Sequence, residues 1–343
     1  MINITKRQAG YALASAALGV WAFIKVNSIS GPAFEPIIAA CTNPELKIEE
    51  FASKTGYHEY DPRVGLGAFS ILVCLITQFL FELRNTVPEG FLTWGGVIVV
   101  GLPVAAFATI EAGRAGARGP IRYPTAVGML YQLFGVSVMF PMIWLPAFIL
   151  GEGKRGAPLT MFRVFASVPL ALPGIVFTAI VFLADTDSQL WTSSAGALGG
   201  PIVVCFNLIL FTDKSHEIVA TKENVKATSD AAKKVYNVLA AVGLPFWYVM
   251  VYVTYQTYGF SVVNLWNSIW VDANSSVRFM TIDTGILYVA ILMFIAYRSN
   301  EMKAVKALLL TTVVGPATAC CMALREIEDE TEFVVSEDDK KKD

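Results

Sequence analysis

The sequence predicts an all-α fold, a polytopic integral membrane helix bundle of about eight or nine transmembrane helices. Three observations predict it. Of the 343 residues, 55% are hydrophobic and 16% charged, whereas soluble domains carry about a quarter charged residues. The apolar residues fall in runs of roughly 20, the length that spans a hydrocarbon core. Most runs are apolar on every face rather than along one stripe, as helices in lipid are.

The elements follow in chain order. A basic start, MINITKRQ, precedes the run 9–28; no small-x-small cleavage pattern follows, so a retained first helix is expected. Further helices are expected near 64–84, 93–112, 124–150, 161–184, 188–212, 232–257, 278–298 and 303–324, so that residues 1–324 form one membrane domain. The connection 29–63 holds Pro32, Pro36, Pro44 and Pro62 and is expected as a cap over one membrane face. The connection 258–277 carries Trp266 and Trp270 and is expected along the interface. Residues 325–343 are charged and read as a disordered tail. Prolines interrupt many runs, among them Pro103, Pro141, Pro245 and Pro316. Each removes a backbone donor, and carbonyls freed in this way must be buried in protein or face a wet cavity.

Composition also excludes function classes. The net charge of -2 supports no nucleic-acid partner. The five cysteines form no CxxC pair, and Cys320 and Cys321 read as small core residues. The two histidines, His58 and His216, are far apart, so no histidine- or cysteine-based metal site and no cofactor is expected, with a carboxylate-only magnesium site as the open alternative.

Orientation is read from charge. With a cytosolic amino terminus, Lys214, Lys222, Lys226, Lys233 and Lys234 fall on the cytosolic side, in line with the positive-inside rule, and the sequon Asn274-Ser275-Ser276 is lumenal. Nine crossings then conflict with Lys340-Lys341-Lys342-Asp343, which has the form of a dilysine retrieval signal read in the cytosol.

Ionisable groups inside a bilayer are costly and mark function. Glu111, Arg114 and Arg118 sit at i, i+3 and i+7, on one face if the third helix continues. They read either as a structural ion pair at a helix end or as a tuned acid beside an arginine cluster that grips an anionic or phenolic head. Asp185 and Asp187 lie in a tight connection, where helix capping is the alternative. Asp283 lies a turn or two inside its helix. Counting crossings places the end of the third helix, the end of the fifth and the start of the eighth on one membrane side, which predicts a polar site near that surface. Tyr131, Trp144, Trp191, Trp247, Tyr248 and Tyr288 are candidate aromatic walls, with packing as their alternative.

The stretch EAGRAGARGPIRYPTAVGMLYQLFGVSVMFPMIWLPAFI, within residues 105–150, resembles fungal membrane-bound meroterpenoid (terpene) cyclases of the ascofuranone and macrophorin type. The resemblance implies an isomerase that protonates a terminal epoxide or olefin of a farnesylated aromatic or polyketide-derived substrate and guides carbocation cyclisation without metal. It implies a lipophilic prenylated substrate, pathway enzymes as partners, and a multi-pass protein of the endoplasmic reticulum. No DDxxD motif is present; Asp185-Thr186-Asp187 is only DxD. Such chemistry needs a carboxylic acid kept protonated by an apolar site. Glu111, Asp185, Asp187 and Asp283 are the candidates, with Arg114 or Arg118 holding the head group. If Glu111 is ion-paired to Arg114, Asp283 is the better acid. The competing readings are a transporter of a small or lipophilic solute, a receptor, and a membrane scaffold.

Overall fold

The structure, a computed structural model, describes residues 4–43, 68–114, 117, 119–123, 130–131, 134–151, 158–171, 173–184 and 221–330. Among these residues the chain is all-α. The helices are α1 (Lys6–Thr42), α2 (Ala68–Asn85), α3 (Glu89–Gly113), α4 (Val136–Gly151), α5 (Met161–Ala171), α6 (Pro173–Leu183), α7 (Lys222–Tyr258), α8 (Val262–Asn267), α9 (Ser275–Arg298) and α10 (Glu301–Asp329). Two of them, α4 and the segment after α8, contain π-helical turns at Phe140–Trp144 and Ser268–Asp272. By length and composition, five described helices can cross a membrane: Lys6–Ile29 of α1, and α3, α7, α9 and α10. The expected run 188–212 lies outside the described residues.

Hydrogen bonds define two faces. On the N-terminal face, the Arg7 guanidinium donates to the Ala296 carbonyl at 2.8 Å and Gln8 Nε2 to the Ile149 carbonyl at 3.3 Å. Arg298 meets Glu111 there, and Thr228 meets Leu159. On the opposite face, Arg84 donates to the carbonyls of Val181 and Ala184, and Asn274 Nδ2 donates to the Glu82 carbonyl at 3.2 Å and Thr86 Oγ1 at 2.7 Å. Cys41, disulfide-bonded, packs near this face with Leu83 and Val277. The Asn274 side-chain oxygen also caps α9 by accepting from the Val277 N–H at 3.0 Å. The expected sequon is therefore a structural cap, with its amide hydrogens engaged.

The helix expected over 303–324 does not run straight. Lys303 Nζ lies 2.5 Å from Glu330 Oε1, and Lys306 Nζ lies 2.6 Å from Glu326 Oε1. In one straight helix a 20-residue separation is about 30 Å. Gly315, with φ +80°, folds α10 back on itself, and Pro316, lacking an N–H, opens the second arm. Trp247 of α7 fills the inside of this turn: a Cβ at Gly315 would stand 2.4 Å from Trp247 Cγ. Each arm, about 14 residues and about 21 Å long, falls short of a ~30 Å hydrocarbon core. Both arms open on the N-terminal face, since Glu330 also accepts from Ser299 Oγ at 2.8 Å. Cysteines substituted at Asn300 and Glu330 are expected to react with an impermeant maleimide from the same side of sealed vesicles. Labelling from opposite sides would mean that α10 crosses.

Of the expected helix 124–150, residues 130–131 and 134–150 are described, and they do not form one straight crossing. Arg122, ahead of it, donates through Nη1 to the Ala112 carbonyl at 3.2 Å, on the N-terminal face. Gly135, with φ +86°, stands beside Asp283 in the interior. Helix α4 then returns to the N-terminal face at Ile149, whose carbonyl also accepts from the Tyr297 hydroxyl at 3.2 Å. This corrects the crossing count. Arg122 and Ile149 lie on one face; Leu159, Thr228 and Arg298 keep the side expected for them relative to the amino terminus, and it is α3 that is reversed, since Arg84 and Thr86 before it lie on the opposite face. Accordingly α3 and α9 run parallel: Thr284 Oγ1 approaches the Thr93 carbonyl at 3.4 Å at one end, and Arg298 approaches Glu111 Oε1 at 3.7 Å at the other.

Smaller corrections follow from capping and packing. Helix α1 continues to Thr42, so residues 29–42 of the expected cap are helical, and residues 44–63 lie outside the described residues. The run 161–184 is divided between α5 and α6. Helix α7 starts at Lys222, where Thr221 Oγ1 accepts from the Asn224 N–H at 3.2 Å, so Lys226, Lys233 and Lys234 are helical. Of the tail expected as disordered, residues 325–329 complete α10, and residues 331–343 lie outside the described residues. Cys320 and Cys321 are buried core thiols.

Candidate functional site

Two groups of buried polar side chains stand out. The first is ionic and sits at the N-terminal face. Glu111 ends α3, and Arg114, its C-cap, returns three residues later so that Nε lies 3.0 Å from Glu111 Oε1. Arg114 Nη2 reaches Glu328 Oε1 at 2.6 Å on the second arm of α10. Arg298, at the end of α9, meets Glu111 from the other side and lies over the Phe148 ring, 5.5 Å from its centroid. All four are almost wholly buried. Burial works against the Arg114 charge, but the carboxylates of Glu111 and Glu328 more than offset it and hold the guanidinium above its ordinary pKa. The four side chains come from three helices, so the cluster joins the ends of α3, α9 and α10. Glu111 is thus a counter-ion between two guanidinium groups.

The second group lies in the interior. Asp283 is 5% exposed, two turns into α9. Ser137, at the second position of α4, donates to Asp283 Oδ1 through its backbone N–H at 3.2 Å and through its hydroxyl. The N–H is available because the first N–H groups of a helix have no partner within it. Gly135 turns the chain there, and a Cβ at that position would come 3.1 Å from Oδ1. Among the described residues, Oδ2 receives no hydrogen bond and no lysine or arginine pairs with Asp283. The chain neighbours of the contact, Val138, Met139 and Ile282, belong to a hydrophobic cluster with Ile286, against which Tyr131, Trp270 and Phe279 pack. Phe279 stacks edge-on against Phe79, at 5.5 Å between centroids.

The structure separates what the crossing count joined. Arg298, the partner of Glu111, is 15 residues from Asp283 on α9, about 22 Å along the axis. Glu111 and Asp283 therefore do not share a membrane boundary. Asp185, Asp187, Arg118 and Trp191 lie outside the described residues. Of the expected aromatic walls, Tyr131 is in the Asp283 cluster. Trp144 is fully buried in a stack between Phe140 and Phe148, at 5.1 and 5.4 Å, as core packing. Trp247 braces the α10 turn, and the Tyr288 hydroxyl bonds Thr311 Oγ1 at 2.5 Å. Tyr248 is 50% exposed on the outer surface of α7.

Sequence reasoning missed Ser137, Arg298 and Glu328. The signal for Glu328 was present: Ala317, Cys320, Cys321, Leu324, Ile327 and Glu328 form one stripe at helical spacing, and all are buried. Nothing local marks Ser137. Among the described residues, no group of three or more His, Cys, Asp or Glu side chains gathers as metal ligands.

No family model, curated protein or solved structure matches this chain.

Proposed function

We propose that this chain is a membrane-embedded terpene cyclase in which Asp283 supplies the proton that starts cyclisation of a farnesylated aromatic or polyketide-derived substrate. The observation that carries this reading is the environment of Asp283: a carboxyl anchored through Oδ1 by neutral donors, beside an apolar and aromatic cluster, within a helix long and apolar enough to cross a membrane. A general acid is matched to its task by such surroundings. The resemblance of residues 105–150 to the ascofuranone and macrophorin type of cyclase also supports it, because that stretch contains Ser137, which holds the acid.

The proposed chemistry balances as an isomerisation. The carboxyl at Oδ2 gives its proton to the epoxide oxygen or terminal alkene. In the epoxide case the C–O bond opens to a tertiary cation; in the alkene case the cation forms directly. The chain π bonds close onto that cation, and the last cation releases a proton. Tyr131, Trp270 and Phe279, which belong to the neighbouring hydrophobic cluster, are the aromatic residues proposed to steady the cation. The orientation that accompanies this reading puts the N-terminal face in the cytosol, since the exposed Lys222, Lys226, Lys234 and Lys306 lie there. An endoplasmic reticulum location and pathway enzymes as neighbours belong to the same proposal.

The test is expression in a host fed farnesylated phenols and their terminal epoxides, with products separated by chromatography and weighed by mass spectrometry. A product of unchanged mass and altered retention is expected; recovery of unaltered substrate from membranes rich in the folded protein overturns the reading. A second reading, a transporter of a small or lipophilic solute, draws on the glycine turns at Gly135 and Gly315, which interrupt apolar runs within the bundle. Flux of such a solute into proteoliposomes without chemical change would favour it.

A further inference from the structure

We propose that Ser137 is the positioning residue for the acid, holding the Asp283 carboxyl in the one rotation that presents Oδ2 to the substrate. This rests on the reading of Asp283 as the initiating acid.

The geometry comes from two segments separated by 146 residues. A carboxyl on an apolar helix face can rotate about χ2, because that torsion is broad. Rotation interchanges Oδ1 and Oδ2, so an unanchored acid spends part of its time with the wrong oxygen forward. Ser137 removes that freedom by donating twice to the same oxygen. The backbone N–H is fixed by the start of α4, and the hydroxyl is fixed in turn by a fully buried side chain. Gly135 lets the two segments approach, since its positive φ and missing Cβ leave room for Oδ1. Phe279 closes the same side, with Cζ 3.4 Å from where that Cβ would stand. The other carboxyl oxygen is thereby left to carry the proton.

The hydroxyl and the N–H are separable by mutation. Ser137→Ala removes the hydroxyl and keeps the backbone donor; Ser137→Thr keeps both. Loss of one hydrogen bond to an acidic group is expected to lower kcat roughly ten- to a hundredfold. KM should be unchanged, because Ser137 touches the acid and not the substrate. Ser137→Thr should retain kcat within a few-fold of the unaltered protein. Asp283→Asn is assayed beside them, with the folded fraction of each variant measured by size-exclusion chromatography in detergent. If Asp283→Asn is inactive and Ser137→Ala retains full kcat, the positioning role is overturned while the acid assignment stands. If Asp283→Asn retains activity, the acid assignment itself fails. A Ser137→Ala protein that raises KM and spares kcat also overturns the proposal. Should Ser137→Ala fail to fold, Ser137→Cys supplies a weaker donor of similar size, and an intermediate kcat is expected; full kcat in that variant counts against the role.

Discussion

Asp283→Asn is expected to abolish turnover of a farnesylated substrate while leaving the fold intact. The carboxamide has nearly the shape of the carboxyl, and its oxygen can still accept from the Ser137 N–H and hydroxyl that now hold Oδ1. Packing against Ile282, Ile286 and Phe279 is unchanged. What is lost is the ionisable proton, and removal of a positioned general acid lowers rates by roughly 10²–10⁴-fold. The measurement is product formation per folded protein, judged against a monodisperse elution profile. Glu111→Gln is the control. Glu111 is bound between Arg114 and Arg298 about 22 Å from Asp283, so its replacement should impair stability rather than chemistry. An active Asp283→Asn protein, or a folded Glu111→Gln protein that has lost turnover, would move the acid away from Asp283.

Arg114→Met is expected to cause the largest loss of stability of any single change in the ionic cluster, about 3–5 kcal/mol. Methionine restores the length and apolar stem of the side chain but leaves Glu328 facing Glu111 with its nearest cation removed. Glu111 keeps Arg298 at 3.7 Å, and the Arg298 charge also acts on Glu328, but Arg114 is the guanidinium that pairs with both carboxylates directly. Buried carboxylates without a counter-ion are strongly destabilising, whereas replacing a whole buried ionic set by neutral groups is often tolerated. The triple variant Glu111→Gln, Arg114→Met, Glu328→Gln should therefore recover a large part of the loss. Thermal unfolding in detergent, followed by loss of the monodisperse peak, checks both. A single variant as stable as the unaltered protein would mean that the cluster does not hold α3 to α10.

Several features were legible before any coordinates. Apolar runs of bilayer length announce helices whatever their arrangement, because backbone groups in lipid must be paired within the segment. The Glu111–Arg114 pair was readable from its i, i+3 spacing, and it formed as an ion pair at the helix end. Asp283 stood out as a lone acid within an apolar stretch. Cys320 and Cys321 were readable as core because they fall inside such a stretch.

The faces were not legible. A run such as 303–324 has the same hydropathy whether it crosses or doubles back, and the dipeptide Gly315-Pro316 also occurs as Gly31-Pro32, which α1 passes through as helix. The positive φ at Gly315, with Trp247 lodged against it, decides the matter by contacts between α7 and α10. The run 124–150 posed the same ambiguity at Gly135, and the resulting miscount inverted the relation of Glu111 to Asp283.

By itself, then, the sequence determined that the chain is helical and lipid-soluble and which carboxyl groups are costly enough to matter, since those follow from composition and local spacing. Only the tertiary structure decided which carboxyl is neutralised by arginine and which is left to neutral donors. Partners such as Ser137 for Asp283, and Glu328 for Arg114, are brought together by packing across more than a hundred residues of chain. No local pattern encodes that, because van der Waals packing and hydrogen bonds between helices act without regard to sequence distance.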